Sequence, residues 1–207
     1  MEFLKNIKLF TVLTLIIVST INLNAQVAVI NAFKKSYDLE KKGEYKKAVT
    51  ELKKVYDAKS YEINLRLAWL NYQAGIFTES IAHYQKAINL KPYSEEAKFG
   101  LIYPKSAIGK WDEVISLYKK ILSNNQNNTT ANYRLGLIYY GKKDYQKAYK
   151  YFNKVVDLYP FGYDGMLMLA WTNFQQGKMR EAKVLFNKVL MYSPNDKSAL
   201  EGLSLIK

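Results

Sequence analysis

Apolar residues recur along this chain with the three-and-four spacing of amphipathic helices, in blocks separated by short polar turns. The clearest stretch, Leu65–Pro92, reads LRLAWLNYQAGIFTESIAHYQKAINLKP: two short helices broken at Gly75 and ended at Pro92. The same design returns at Leu135–Pro160 and at Leu169–Pro194. A helical pair of this length cannot bury its apolar face alone. Its repetition at a fixed period therefore predicts a stacked array rather than one closed core.

Aligning the turns extends the pattern to five units. The turn residue and the large residue two positions later are Gly43/Tyr45, Gly75/Phe77, Gly109/Trp111, Lys143/Tyr145 and Gly177/Met179, with turns 32, 34, 34 and 34 residues apart. Seven positions before each turn stand Ser36, Ala68, Ile102, Gly136 and Ala170. Five after it come Ala48, Ser80, Val114, Ala148 and Ala182; nine after it, Leu52, Tyr84, Tyr118, Phe152 and Phe186; twelve after it, Val55, Ala87, Ile121, Val155 and Val189. The spacing has a mechanical cause. Antiparallel helices approach closely where small side chains face one another, and a large residue one turn along fills the gap between neighbouring pairs.

This unit resembles the tetratricopeptide repeat, a 34-residue helix–turn–helix. The resemblance implies an all-α fold, a right-handed superhelical solenoid with repeats at about 29–62, 61–94, 95–128, 129–162 and 163–196. KSALEGLSLIK, 197–207, echoes the start of the third unit and reads as a capping helix. Two units depart from the pattern. In the first, Ser60 stands where Pro92, Pro160 and Pro194 end other units, and Lys35 replaces the leucine of Leu67, Leu101, Leu135 and Leu169, which suits an outward-facing end repeat. In the third, Gln126 stands in place of the proline, while Gly100 and Pro104 fall inside the first helix and predict a bend, either a local irregularity or a device that shapes a groove. The run SNNQNNTT, 123–130, reads as a loop.

The first 25 residues read separately, as a cleavable secretory signal peptide. Lys5 and Lys8 precede an apolar run, Leu9–Ile21, and the small Ala25 is placed for cleavage before Gln26. The run is shorter than the roughly 20 residues that span a bilayer, and no Cys follows it to carry a lipid. A periplasmic or secreted repeat domain at 26–207 is the expectation.

Composition narrows the chemistry. Absence of cysteine excludes disulfides, thiolate metal sites and Cys nucleophiles, and the single histidine, His83, excludes a multi-histidine metal cluster. His83 has no nucleophile motif or carboxylate pair beside it and reads as a packing or solvated residue. Glu95 and Glu96 open a helix, where negative charge complements the dipole. With no Gly-rich phosphate loop either, the sequence predicts no enzyme and no cofactor. The net charge of +13 is mostly lysine and reflects either an anionic partner or a solvated surface held away from neutrality. Export argues against nucleic acid.

In such arrays the first helices line the concave face. That assignment comes from the resemblance, and it points a surplus of aromatic and basic residues into the groove: Phe33, Lys34, Tyr37 and Lys41; Leu65, Arg66, Trp69 and Tyr72; Phe99 and Tyr103; Tyr133, Arg134 and Tyr140; Leu167, Trp171 and Phe174. The expected ligand is a peptide or protein segment with acidic residues, held by the arginines and anchored on Trp69 and Trp171. Lysines on second helices (Lys46, Lys47, Lys53, Lys54, Lys147, Lys150, Lys154) read as a solvated outer face, with contact to an anionic polymer or membrane surface as the alternative function. Neither the partner's identity nor the oligomeric state is written in the sequence.

Overall fold

A computed structural model describes residues 25–206, which form eleven helices and no strand. The first helix, α1, covers 25–41. It is followed by α2 (Tyr45–Lys53), α3 (Tyr61–Gln73), α4 (Phe77–Leu90), α5 (Glu95–Ala107), α6 (Trp111–Asn124), α7 (Thr129–Gly141), α8 (Tyr145–Leu158), α9 (Tyr163–Gln175), α10 (Met179–Tyr192) and α11 (Lys197–Leu205). The fold is all-α, as the period predicts. No described helix is long and apolar enough to cross a membrane. The segment 1–24, which holds nearly all of the stretch expected from the sequence to be a signal peptide, lies outside the described residues.

Helix ends follow from local chemistry. Gly43, Gly75, Gly109 and Gly177 hold φ between 73° and 75°, and Lys143 takes the same left-handed turn with φ 60°. α3, α5, α7 and α11 start on side-chain caps, Ser60, Ser94, Asn128 and Asp196, which accept from the backbone N–H groups of Ile63, Ala97, Ala131 and Ala199, whereas α9 starts at Gly162 without one. One turn further, Asn64, Lys98 and Asn132 stand 34 residues apart, each buried and each donating to the incoming loop. Asn64 Nδ2 bonds the carbonyls of Ala58 and Ser60 (3.1 and 2.8 Å), and Asn132 Nδ2 those of Gln126 and Asn128 (3.0 and 2.9 Å). Lys98 Nζ does the same to Pro92 and Ser94. These bonds correct the expected register of the first unit. Ala58, not Ser60, is the counterpart of Pro92, and Ser60 is the N-cap of α3. The two missing residues fall between Val55 and Ala58, three positions apart where Ala87 and Pro92 are five, and α2 correspondingly ends early, at Lys53.

The chain forms two compact units, one ending at Gly109 and the other beginning at Lys110. In the first, Ala32, Ala48, Val49, Leu52, Ile63, Leu67 and Leu70 join α1, α2 and α3 in one core, and Tyr61, Ala87 and Ala97 join α3, α4 and α5. In the second, Met166, Ala170, Ala182, Phe186, Val189 and Ala199 form a core across α9, α10 and α11, so α11 caps its unit as expected. Every residue at the four aligned packing positions is buried except Val55, which is half-buried.

Close seating of a ring on a small residue recurs in both units. A Cβ built on Gly136 would lie 2.6 Å from the Phe152 ring, one on Gly202 2.2 Å from Phe186, and one on Gly100 2.2 Å from Tyr84. Gly100 is therefore the seat of the preceding unit's tyrosine rather than a flaw in its helix. Nor does Pro104 end that helix: α5 runs on through it, and the Ile108 N–H reaches the Pro104 carbonyl at 3.2 Å.

Two substitutions in the fourth repeat should move stability in opposite directions. Gly136→Ala drives a methyl into the fully buried Phe152 ring and should cost about 1 kcal/mol after the helix-propensity gain is subtracted. Lys143→Gly relieves a left-handed lysine and should gain about 0.5–1 kcal/mol. Urea midpoints at unchanged slope would read both. A Gly136→Ala midpoint equal to wild type would refute the seating argument.

Candidate functional site

The first unit contains an open cleft of about 570 Å³. Its walls come from the first helices. Phe33 and Tyr37 on α1, Leu65 and Trp69 on α3, and Phe99 and Tyr103 on α5 each sit four residues apart, so each helix presents one large pair on one face. Arg66 on α3, Tyr84 on α4 and Gly100 on α5 also line it, and Tyr61, Glu62 and Glu96 stand at the first turns of α3 and α5. The rings are fixed to one another. Trp69 meets Tyr103 edge-on at 6.2 Å, and Tyr72 lies 5.8 Å from Trp69 and 5.5 Å from Tyr103.

Arg66 differs from expectation. It is only 8% exposed, and its charge is taken up inside the protein. Nη1 binds Glu40 Oε2 at 2.6 Å, Nε donates to Ser36 Oγ at 3.1 Å, and the guanidinium lies over the Tyr37 ring with its carbon 3.8 Å from the centroid. The other oxygen of Glu40 accepts from Trp69 Nε1 at 2.5 Å. One carboxylate on α1 thus holds two of the four residues that were expected to grip a ligand, Arg66 and Trp69. Nη2 of Arg66 is enclosed and has no hydrogen-bond partner among the described residues. The reason is proximity: α1 and α3 pack directly, and a guanidinium buried there needs a counter-charge.

The predicted residues of the second unit are mostly engaged in packing. Trp171 meets Phe186 edge-on at 5.1 Å within the α9–α11 core, and its Nε1 donates to Ser198 Oγ at 2.9 Å, so it fastens α11 rather than standing free as an anchor. Phe174 packs on Trp171 at 5.6 Å, Tyr133 on Phe152 at 5.8 Å and Tyr140 on Tyr145 at 5.4 Å. Arg134 is exposed. Two clefts of this unit, around Tyr149–Gln176 and around Asn173–Arg180, include none of the predicted set.

Sequence reasoning missed Tyr61, Glu62 and Glu96. A signal existed: Glu62 and Glu96 stand 34 residues apart at one repeat position, but helix-dipole complementarity already explained Glu96. The Tyr61 hydroxyl lies 2.8 Å from Ser94 Oγ and donates to Glu96 Oε2 at 3.2 Å. Tyr163 makes the same reach in the second unit, donating to Asp196 Oδ2 at 2.6 Å, and that carboxylate pushes its pKa up to about 12.

His83 is a packing residue. It is buried edge-on to Tyr56 at 5.8 Å, and its Nδ1 lies 3.0 Å from Asn64 Oδ1. Because the Asn64 amide nitrogen already serves two carbonyls, its oxygen accepts and His83 carries the proton on Nδ1. Burial, followed by Lys86, lowers its pKa below 6.5. Among the described residues no three His, Asp or Glu side chains converge on a metal site. The lysines of the second helices are solvated: Lys47, Lys54 and Lys147 each bind an acid three residues earlier, Glu44, Glu51 and Asp144.

Tetratricopeptide repeat models match residues 33–95, 129–161 and 163–196. No curated protein matches the chain in sequence at a significant level. Among solved structures, MamA is 22% identical with a TM-score of 0.68, over 79% of this chain and 91% of that one. A tetratricopeptide repeat protein from Parabacteroides merdae ATCC 43184 is 21% identical with a TM-score of 0.72, over 84% and 70%. YrrB, described as a TPR protein with an unusual peptide-binding site, is 15% identical with a TM-score of 0.66, over 86% and 92%. At these identities the likeness is one of fold.

Two measurements test the geometry. Glu40→Gln should cost on the order of 2 kcal/mol in urea unfolding, less than a fully buried pair because Glu40 is partly exposed. It should also free the Trp69 indole, seen as a shift of its N–H resonance. For His83, a folded pKa below the unfolded value means a contribution present above about pH 6.5 and lost as pH falls through the folded pKa. His83→Gln should therefore flatten the fall of Tm as the pH drops below about 6.5. An unchanged slope would show that His83 titrates as in the unfolded chain.

Proposed function

The chain belongs to the tetratricopeptide repeat family, and on that premise we propose that it is a non-catalytic interaction scaffold whose ligand, a segment of another protein, lies in the cleft of the first unit. The observation that carries this reading is the cleft itself: six large side chains from three first helices surround one opening, and Phe33, Leu65 and Trp69 also pack against the cores beneath it. Tyr103 is 50% exposed although it is braced by two other rings, an arrangement that suits an anchor kept ready for a partner. The peptide-binding site in the description of YrrB supports the same mode of use. Export to the periplasm or beyond is part of the proposal and rests on the N-terminal sequence, Lys5 to Ala25.

The lysine faces support the alternative, docking on an anionic polymer or membrane surface, less well, since acids on the same helices bind several of these lysines.

Crosslinking in the native envelope fraction, wild type against Phe99→Ala/Tyr103→Ala, identifies the partner as the protein lost from the variant. Titration of that partner with Tyr103→Ala alone should then show a loss of about 2 kcal/mol, roughly 30-fold in Kd, at wild-type thermal stability. Equal affinity in a folded variant would remove the cleft from consideration.

A further inference from the structure

Resting on that reading of the cleft, we propose that its occupant is a basic side chain, a lysine or arginine presented by an extended segment of the partner. This reverses the acidic ligand expected from the sequence.

Charge makes the first argument. The whole chain carries +13, yet the charged groups lining the cleft are Glu96, a Glu62 that Lys91 pairs at the rim, and one guanidinium that Glu40 already neutralises. Arg66 is enclosed against Tyr37 and Ser36, so it offers an incoming carboxylate little access, while Glu62 and Glu96 are exposed at the first turns of α3 and α5. An acidic side chain entering here would meet the like charge of Glu96. A basic one meets the opposite charge of Glu96 and can share Glu62 with Lys91.

The walls make the second. Aromatic rings present a negative face, which attracts ammonium and guanidinium groups. Two rings of this cleft already hold such groups from within the chain: Arg66 over Tyr37, and Lys91 over Tyr61 with its Nζ 4.2 Å from the centroid. Lys91 also reaches Glu62 at 3.2 Å, and both are exposed. It performs at the rim what the ligand performs inside, an ammonium shared between a tyrosine face and a first-turn carboxylate. Phe99 and Tyr103 then receive the methylenes of the same side chain. Because the cleft is open, the charged end keeps part of its hydration and avoids the cost of full burial.

The test uses the full chain and an array of nine-residue peptides, flanking positions randomised, with the central residue fixed as lysine, arginine, norleucine or glutamate. Norleucine keeps the methylenes and lacks the charge. Lysine and arginine peptides should be retained about tenfold more than norleucine peptides, roughly 1.4 kcal/mol, and glutamate peptides least. In Glu62→Gln/Glu96→Gln, where both changes are at exposed positions, the lysine-to-norleucine ratio should fall to near one with norleucine binding unchanged. Raising the salt to 0.5 M should shrink the same ratio. Glutamate retained as well as lysine, or a lysine preference untouched by the double variant, overturns the inference. Norleucine and lysine binding equally, with both lost in Phe99→Ala/Tyr103→Ala, overturns the basic ligand and leaves the cleft as the site. Binding indifferent to Phe99 and Tyr103 for every peptide overturns both.

Discussion

The fold depends on how closely a ring on a second helix can press against a small residue on a first helix. Tyr84 on Gly100, Phe152 on Gly136 and Phe186 on Gly202 are the points of closest approach, each too tight for a Cβ to be added without movement. Interiors are packed near crystal density, so a contact this close fixes where the two backbones lie. Phe152 is seated within its own helical pair, whereas Tyr84 and Phe186 are seated on the helix that follows, so such contacts set both the pair and the step to the next helix. Gly202 shows the rule operating at the end of the chain, where α11 supplies a seat and then exposes Leu200 and Leu205.

Once packing is met this way, side chains on the other face of each first helix are left over, and their fates differ. Trp171 is drawn into the core by α11 and bonded to Ser198. Trp69, at the same repeat position, is held by Glu40 from the preceding unit and still lines a cleft. Position in the repeat thus sets the direction of a side chain, and the neighbouring helix decides whether that direction leads to solvent or to a partner already in place. The polar connections work likewise. Tyr61 and Tyr163 reach forward to Ser94 and Asp196, tying each first helix to the cap of the next. Asn64, Lys98 and Asn132 satisfy loop carbonyls that would otherwise be buried without donors.

Glu40 shows why charge counted along the sequence misleads. Arg66 appears as a free cation on a groove face, and a ligand with acidic residues follows from it. In three dimensions the same guanidinium is stacked on Tyr37 and paired with Glu40, and the carboxylates that remain exposed at the cleft are Glu62 and Glu96. The sign of the exposed charge at the cleft therefore differs from that of the whole chain, which is +13.

By itself the sequence determined the repeat: its helices, its left-handed turns including Lys143, its packing positions and its cap. All of these are set by local periodicity and by residues a fixed distance apart, which one dimension records. It also placed Phe33, Tyr37, Leu65, Trp69, Phe99 and Tyr103 on one face. Only the tertiary structure decided which of those faces stays open, that Gly100 is a seat and Ser60 a cap, and that Arg66 is spoken for. Those outcomes turn on contacts between residues such as Glu40 and Arg66, 26 positions apart, or Tyr84 and Gly100, 16 apart. Neither spacing is marked in the pattern. Each is selected by burial, which forces a guanidinium to find its carboxylate and a ring to find its gap.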